Sequence, residues 1–173
     1  LADSNWENIS QARLEGLETF YGNPSSDFAD SHLDLSGVGG LLAMSRQRVA
    51  NISAAIHYRA EFGSQRIFSL AVSNEKNSNG GKHQLPDSYR GTRLFGEEIS
   101  YYDVVSAIAK GQEVKSTNIT EEFDWPTYQE KYRDSRLALF CITPKKQLIP
   151  FSSNTELSPE AGSIIVALVE PEK

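Results

Sequence analysis

Residues 39–73 read GGLLAMSRQRVANISAAIHYRAEFGSQRIFSLAVS, and this stretch decides the fold class. Its two ends, 39–45 and 66–73, are compact apolar runs, which are typical of strands covered on both faces. Residues 46–62 between them predict a helix that ends at Gly63. This helix carries one apolar stripe, formed by Val49, Ile52, Ile56 and Ala60. A strand, a helix and a strand in succession indicate a parallel pair joined by a crossover helix.

The same alternation is found upstream. The predicted elements are a strand that ends at Asp3, a helix over 6–14 capped by Ser4 or Asn5, a strand over 17–22 and a short helix over 26–35. The first 73 residues therefore predict a parallel sheet with helices on both faces. Ligands bind beyond the carboxyl ends of the strands in such sheets, which directs attention to Asp3, to Gly22 and Asn23, and to Met44 and Ser45.

The pattern changes in the second half of the chain. Residues 74–91 are polar and rich in Asn, Gly and Ser, and they predict a mobile surface loop or linker. A strand over 92–96 is followed by a helix that starts with a capping box, Ser100 and Asp103. Its predicted inward-facing residues are Val104, Val105 and Ile108.

A small, mostly antiparallel β module is predicted after Gly111. Its elements are a half-exposed strand over 113–120, a short helix with Asp124 as cap and Pro126 in the first turn, and strands over 136–143, 147–152 and 162–170. We therefore predict two domains, residues 1–111 and residues 112–173.

Composition argues against several classes of partner and site. The chain has 173 residues and a net charge of −6 without a basic stripe, so a nucleic-acid partner is not expected. No run reaches the roughly 18 apolar residues of a membrane helix. The single Cys141 lies in the apolar run LALFCIT and is predicted to be a buried core thiol. His32, His57 and His83 lack metal-ligand spacing, and no metal site is expected.

Asp3 is the one acid placed at a predicted strand end. In dinucleotide-binding folds, an acid at the end of the second strand binds the ribose hydroxyls, about 20 residues after a glycine-rich fingerprint. That fingerprint is not in this chain, and a helix-capping role for Asp3 is an equal alternative. The glycine-rich SGVGG, residues 36–40, precedes a strand instead of following one, so it predicts a turn and not a phosphate cradle. No catalytic constellation is visible, and the chain is predicted not to be an enzyme.

The order of several motifs resembles one family. ADSNWENISQARLEGLETFYGN (residues 2–23), GVGGLLA (37–43), the helix that holds Asn51 and AAIHYRAEF (54–62), GTRLFGEEISYYDV (91–104) and ITEEFDW (119–125) are similar to the regulator-of-conductance (TrkA-N-type, RCK) nucleotide-binding domain. The closest similarity is to the version at the cytoplasmic C-terminal end of bacterial sodium/proton antiporters. Residues 139–171 resemble the small C-terminal β module of that family.

The resemblance implies a cytosolic regulatory domain that senses NAD(H) or an adenine nucleotide. Asp3 would bind the ribose and Asn5 would lie beside it, Gly22 and Asn23 would approach the adenosine end, and Met44 and Ser45 would line the crevice. The implied partner is the membrane antiporter domain of the same polypeptide, at the cytoplasmic face of the bacterial inner membrane.

The fold expected from this resemblance is α/β, a Rossmann-like parallel sheet that lacks its first strand, followed by the β module. The missing strand would be central, between the strand that ends at Asp3 and the strand over 41–44. We expect those two strands either to pair directly or to receive an edge from another chain, which favours a homodimer. Without the glycine fingerprint, this chain is expected to bind little or no dinucleotide. The alternatives are a fragment of a Rossmann-type NAD-dependent oxidoreductase and a ligand-free interaction module.

Overall fold

The structure is a computed structural model, and it describes residues 1–71, 89, 91–133, 136–154 and 156–171. Helices and strands alternate along the first half, as predicted. In chain order its elements are β1 (Ala2–Asp3), α1 (Trp6–Leu14), β2 (Phe20–Tyr21), α2 (Asp27–His32), β3 (Leu41–Ala43), α3 (Arg48–His57), α4 (Arg59–Phe62), β4 (Ile67–Ser69), β5 (Thr92–Arg93) and α5 (Tyr101–Ala109). The second half contains β6 (Glu113–Asn118), α6 (Trp125–Tyr132), β7 (Arg136–Ile142), β8 (Leu148–Pro150) and β9 (Ile164–Val169). The loop predicted over 74–91 lies outside the described residues except at 89 and 91.

The strands of the first half are parallel, and this part of the prediction is confirmed. β1 pairs with β2, and β3, β4 and β5 form a sheet in that order. Gly40, just before β3, lies against the backbone just before β4, because a Cβ on Gly40 would lie 2.6 Å from the carbonyl oxygen of Arg66. A glycine is therefore required at that position.

β1 and β3 belong to separate sheets. Neither strand pairs with the other among the described residues, so the first of the two predicted arrangements, direct pairing, does not occur. One side of β1 and one side of β3 consequently carry no strand partner within the described part of the chain.

Local capping signals fixed several helix ends. α1 begins after Asn5, whose side chain accepts a hydrogen bond from the backbone of Glu7, and α6 begins after Asp124 with a proline in its first turn. α5 has the predicted capping box between Ser100 and Asp103. Each cap is set by residues within one turn of the helix end, and sequence therefore locates it well.

The predicted helix over 46–62 differs from the structure in two respects. It is divided at Tyr58 into α3 and α4, and its apolar stripe faces the wrong way, since Val49 is 78% and Ile56 46% exposed. α3 packs on β3 and β4 through Asn51, Ala54 and Ala55 instead. Small side chains let a helix backbone approach a sheet closely, and this tertiary fit overrides the local pattern.

The second half forms an open antiparallel sheet in the order β6–β9–β7–β8, which confirms the predicted antiparallel strands. α6 covers one face of this sheet. The core on that face is built from Ile119, Tyr128, Tyr132, Cys141, Ile165, Ala167 and Val169. Cys141 is 2% exposed, as the prediction of a buried thiol requires.

The opposite face of this sheet packs against the end of the parallel sheet. Leu94 and Phe95 follow β5 and lie in one cluster with Leu70, with β7 residues and with α5 residues. The backbone continues the contact, because the Phe95 nitrogen donates to the Phe151 oxygen over 2.7 Å. Hydrogen bonds and apolar packing therefore cross the predicted domain boundary near Gly111.

The predicted inward stripe of α5 is wrong in part. Val104 is partly buried in the cluster with Leu94, but Val105 is 43% and Ile108 55% exposed, and no residue of α5 is fully buried. The helix therefore touches the protein along one side only. Among the described residues, no helix is long and apolar enough to cross a membrane.

Candidate functional site

Asp3 lies at the carboxyl end of β1, beside the end of β2. The strand register pairs Asp3 with Tyr21, and the Gly22 nitrogen donates to the Asp3 carbonyl oxygen over 2.9 Å. The Asp3 side chain is partly buried, and both of its oxygens accept hydrogen bonds. Oδ1 accepts from the Asn5 backbone at 2.8 Å and Oδ2 from Asn8 Nδ2 at 2.7 Å. Asp3 therefore fastens the end of the strand to the start of α1.

Asn5 and Gly22 complete this strand end. Asn5 Oδ1 accepts from the Glu7 nitrogen over 2.9 Å, so the positive end of the α1 dipole points to the region where Asp3 lies. Gly22 has a φ of 140°, a conformation that favours glycine, and a Cβ there would contact the Phe20 ring at 3.4 Å. Asn5 and Gly22 therefore lie beside Asp3, at the ends of β1 and β2.

Asn23 organises the loop into α2. Its Oδ1 accepts from the Ser25 nitrogen over 3.0 Å, and its carbonyl oxygen accepts from Ser26 Oγ over 2.8 Å. Ser26 in turn caps α2 by accepting from the Ala29 nitrogen. Asp3, Asn5, Gly22 and Asn23 thus form one continuous group at the carboxyl ends of β1 and β2.

Met44 and Ser45 follow β3, at the carboxyl end of the other parallel sheet. Met44 is partly buried against the cluster of Leu70 and Leu94. Ser45 is held by Asn51, whose amide makes hydrogen bonds to both the backbone nitrogen and the backbone oxygen of Ser45. No hydrogen bond of the sheet ladders joins this strand end to the group around Asp3. The structure therefore places four of the six predicted site residues at the ends of β1 and β2. The other two, Met44 and Ser45, lie together at the end of β3.

Two exposed aromatic rings stand beside Asp3, and sequence reasoning did not select them. The Trp6 and Tyr21 rings lie 5.3 Å apart at 82°, and they are 53% and 52% exposed. The Arg13 guanidinium lies over the Trp6 ring at 5.3 Å. Trp6 is in the quoted motif, but its pairing with Tyr21 depends on the β1–β2 register, which the sequence does not state. This arrangement offers a planar apolar group a surface for stacking, next to a carboxylate.

A cleft lies between α2 and the α3–α4 segment, away from Asp3. This cleft of about 280 Å³ is lined by Ala29, Asp30, Leu33, Leu35, His57, Tyr58, Ala60 and Glu61. His57 Nε2 lies 2.7 Å from Asp30 Oδ1, and the Tyr58 hydroxyl donates to the Pro24 oxygen. Burial, together with the negative charge of Asp30, raises the pKa of Tyr58 above its ordinary value. The described residues contain no group of three His, Cys, Asp or Glu side chains that could hold a metal.

Comparisons with known proteins leave the family open. No protein-family model matches the chain, and no curated protein matches it either. The motif similarity to the TrkA-N-type domain therefore supports a proposal only.

Proposed function

We propose that this chain is a cytosolic regulatory unit of a bacterial cation/proton antiporter and that it senses a nucleotide, NAD(H) or an adenine nucleotide. One observation carries the proposal. Asp3, Asn5, Gly22 and Asn23 occupy the carboxyl ends of two adjacent parallel strands, and this edge is where ligands bind in open α/β sheets.

The chemistry of this edge suits the adenosine half of a nucleotide. A carboxylate has about four acceptor sites and can accept hydrogen bonds from ribose hydroxyls, and Asn5 and Asn8 each use one acceptor site of Asp3. An aromatic ring stacks on a base with a gain of about 1–3 kcal/mol, and Trp6 and Tyr21 are half exposed beside Asp3. A small polar group and an apolar platform at one place match the two ends of adenosine.

The strand order supports a Rossmann-like arrangement for the whole unit. A parallel strand between β1 and β3 would join β2–β1 and β3–β4–β5 into one sheet with the order of a dinucleotide-binding fold. We propose that this strand comes from the remainder of the parent polypeptide or from a second copy of the chain, in a homodimer. The glycine fingerprint that cradles the pyrophosphate is not in these 173 residues, so nucleotide binding to this chain alone should be weak or undetectable.

Regulation follows if the nucleotide binds one transport state better than the other. A ligand shifts a conformational equilibrium only by its difference in affinity for the two states. A regulatory role also fits the predicted site better than catalysis does, because Asp3 is the only titratable side chain among its six residues.

The test uses the intact polypeptide that contains this chain, reconstituted in vesicles. Sodium/proton exchange and equilibrium binding of NADH and ATP are measured for the wild type, for Asp3→Asn and for Asp34→Asn. Asp34 is a matched control. Among the described residues, its carboxylate accepts a hydrogen bond from the backbone nitrogen of Ser36, in the same turn. We expect Asp3→Asn to weaken nucleotide binding about tenfold or more, since a hydrogen bond to a charged group contributes about 1.5–3 kcal/mol. Exchange that no nucleotide alters, in any variant, would refute the proposal.

A ligand-free interaction module is the second candidate, and one observation favours it. Both Asp3 oxygens are already used within the chain, by Asn5 and Asn8. If these bonds are the whole role of Asp3, then Asp3→Asn lowers the free energy of unfolding by roughly 1 kcal/mol and leaves nucleotide binding unchanged. Nucleotide binding by Asp3→Asn separates the two candidates, because the loss of unfolding free energy is expected for both.

A further inference from the structure

We propose that the cleft between α2 and the α3–α4 segment is a binding site for an aliphatic diamine, a short hydrocarbon chain with an ammonium group at each end. The cleft is formed by α2, α3, α4 and the segment that follows α2. It does not include Asp3 or the other residues of the predicted nucleotide site. The two proposals are therefore independent, and the failure of one leaves the other standing.

The cleft has the size and the apolar walls for a short hydrocarbon chain. Its volume of about 280 Å³ is close to the lower limit of ligand pockets, roughly 300 Å³, so the occupant is a small molecule. Ala29 is fully buried and Tyr58 nearly so, and both line the cleft. Leu33 and Leu35, which are partly buried, continue its apolar part. A chain of methylene groups that lies here removes apolar surface from water.

Two carboxylates line the cleft, one from each side. Asp30 belongs to α2 and Glu61 to α4. Asp30 Oδ1 lies 2.7 Å from His57 Nε2, whereas Asp30 Oδ2 and the Glu61 carboxylate have no hydrogen-bond partner among the described residues. None of the eight lining residues is Lys or Arg. Two carboxylates outweigh one imidazole, so the cleft is negative whether or not His57 is protonated, and a cationic ligand is favoured.

The arrangement of these groups fits a ligand with two positive ends better than a single metal ion. Asp30, His57 and Glu61 line one cleft, yet the described residues contain no group of three His, Cys, Asp or Glu side chains that could hold a metal. Metal ligands must all lie within roughly 2.6 Å of one ion. A diamine instead places one ammonium at Asp30 and the other at Glu61, and each ammonium has three donors for carboxylate oxygens. Its methylene chain then lies along the apolar wall.

Diamine binding would connect two parts of the fold that no strand pairing joins. α2 follows β2, and α3 and α4 connect β3 to β4. Among the described residues, β1–β2 and β3–β4–β5 are separate sheets. The His57–Asp30 contact and the hydrogen bond from the Tyr58 hydroxyl to the Pro24 oxygen cross this junction. A ligand held by Asp30 and Glu61 adds a further link across it and stabilises the folded chain by mass action.

The test is a titration of the 173-residue chain with 1,4-diaminobutane at low ionic strength, followed by the amide NMR signals of α2 and α4. We expect saturable binding with a Kd of about 1 mM, together with a higher midpoint of thermal unfolding. 1-Aminobutane should bind about two- to fivefold more weakly, since it gives up one exposed ion pair, and 1,4-butanediol should not bind. Asp30→Asn with Glu61→Gln should weaken binding of the diamine about tenfold.

Glu121→Gln with Glu122→Gln is the matched control, because it removes two exposed carboxylates outside the cleft. Circular dichroism verifies that both double variants are folded. If Asp30→Asn unfolds the chain, Glu61→Gln alone should still weaken the diamine about two- to fivefold.

Three results would overturn the proposal. The first is a wild-type chain that does not bind the diamine, and the second is binding of equal strength in the two double variants. The third is displacement of the diamine by Mg²⁺ at an equal concentration, because a diffuse acidic surface attracts every divalent cation alike. None of these results bears on nucleotide binding at Asp3.

Discussion

Asn51 holds Ser45 by two hydrogen bonds, from Ser45 nitrogen to Asn51 Oδ1 at 2.9 Å and from Asn51 Nδ2 to Ser45 oxygen at 2.8 Å. The amide thereby satisfies a backbone donor and a backbone acceptor at the point where β3 turns into α3. Asn51 is 9% exposed, so its own amide oxygen and nitrogen depend on these two bonds. The asparagine that the sequence singled out as part of a motif is thus a loop clamp.

The clamp predicts a specific cost for Asn51→Asp. The substitution keeps the size and the acceptor but puts a carboxylate oxygen against the Ser45 carbonyl oxygen, and it leaves that oxygen without its donor. We expect the free energy of unfolding to fall by about 1–3 kcal/mol at neutral pH. Urea unfolding measures this, with Asn118→Asp at an exposed position of β6 as the control. Equal, small effects of the two substitutions would contradict a clamping role.

Arg136 provides a second prediction, because its guanidinium is badly satisfied. The group lies over the rings of Trp125 at 5.0 Å and Tyr128 at 4.5 Å, while Nε and Nη1 are buried without a hydrogen-bond partner among the described residues. Arg136→Met keeps the length and the ring contacts and removes the unsatisfied donors. We expect it to leave the free energy of unfolding unchanged or to raise it by about 1 kcal/mol.

Arg136→Ala is the companion variant, and it should cost about 2 kcal/mol or more by leaving a cavity beside the stacked rings of Trp125 and Tyr128. Denaturant midpoints with unchanged slopes give both values. If the methionine variant is destabilised as much as the alanine variant, the positive charge itself contributes the stability. The cation–π contacts would then outweigh the two unpaired donors.

Helix ends were predictable because their causes are local. Asn5, Ser100 and Asp124 accept hydrogen bonds from backbone groups two or three residues away, and the sequence displays that spacing directly. Which side of a helix is buried depends on distant neighbours. Val49 and Val105 fit a local apolar pattern, yet the sheet takes up Ala54 and Ala55 in one case and Val104 in the other. When a helix carries more than one apolar stripe, the position of the sheet decides which stripe is buried.

In the candidate site too, some features could be predicted from the sequence and others depended on the tertiary structure. The nearness of Asp3 and Gly22 followed from a general property of parallel strands, whose carboxyl ends meet at one edge. The Trp6–Tyr21 pair needed the actual register of β1 and β2, in which Asp3 opposes Tyr21. A shift by one residue would have turned Tyr21 to the other face of the sheet.

Tyr58 predicts a loss of stability at alkaline pH. Burial, and then the charge of Asp30, raise the pKa of Tyr58 above 10.0 in the folded protein. An unfolded tyrosine ionises near pH 10, so its contribution to stability is complete below that pH and is lost as the pH rises through the folded pKa. We expect Tyr58→Phe to make stability fall less steeply above about pH 10. Burial also raises the pKa of Tyr128, so part of the dependence remains in this variant.

Urea unfolding from neutral to alkaline pH checks the prediction for Tyr58. At neutral pH, Tyr58→Phe should lose roughly 1 kcal/mol, because the hydroxyl no longer donates to the Pro24 oxygen. Asp30→Asn is the informative second variant. It removes the negative charge that opposes tyrosinate, so the pKa of Tyr58 in the folded protein moves closer to that of the unfolded chain. The loss of stability at alkaline pH should therefore be smaller than in the wild type. An unchanged slope in both variants would exclude Tyr58 as a contributor.

Cys141 gives a direct measure of how the β module opens. It is 2% exposed, and burial raises the pKa of its thiol, although a hydrogen bond with Ser163 partly opposes this. The thiolate is the reactive form. Burial lowers the fraction of thiolate and also keeps the reagent away from the sulfur. We expect a maleimide to label native Cys141 at least about a hundredfold more slowly than the unfolded chain. As Cys141 is the only cysteine, no other site contributes to the signal.

The matched control for this labelling is a Cys141→Ser chain with Ser116→Cys, which places the thiol at an exposed position of β6 in the same sheet. It should react at a rate close to that of the unfolded chain. Labelling should occur in molecules whose β module has opened, because closed molecules keep the thiol protonated. Raising the pH should therefore accelerate Cys141 labelling only in proportion to the thiolate fraction of the opened molecules. Rapid labelling of Cys141 under native conditions would mean that α6 leaves the sheet readily, and the core of Tyr128, Ile165 and Cys141 would then contribute little to the stability of the module.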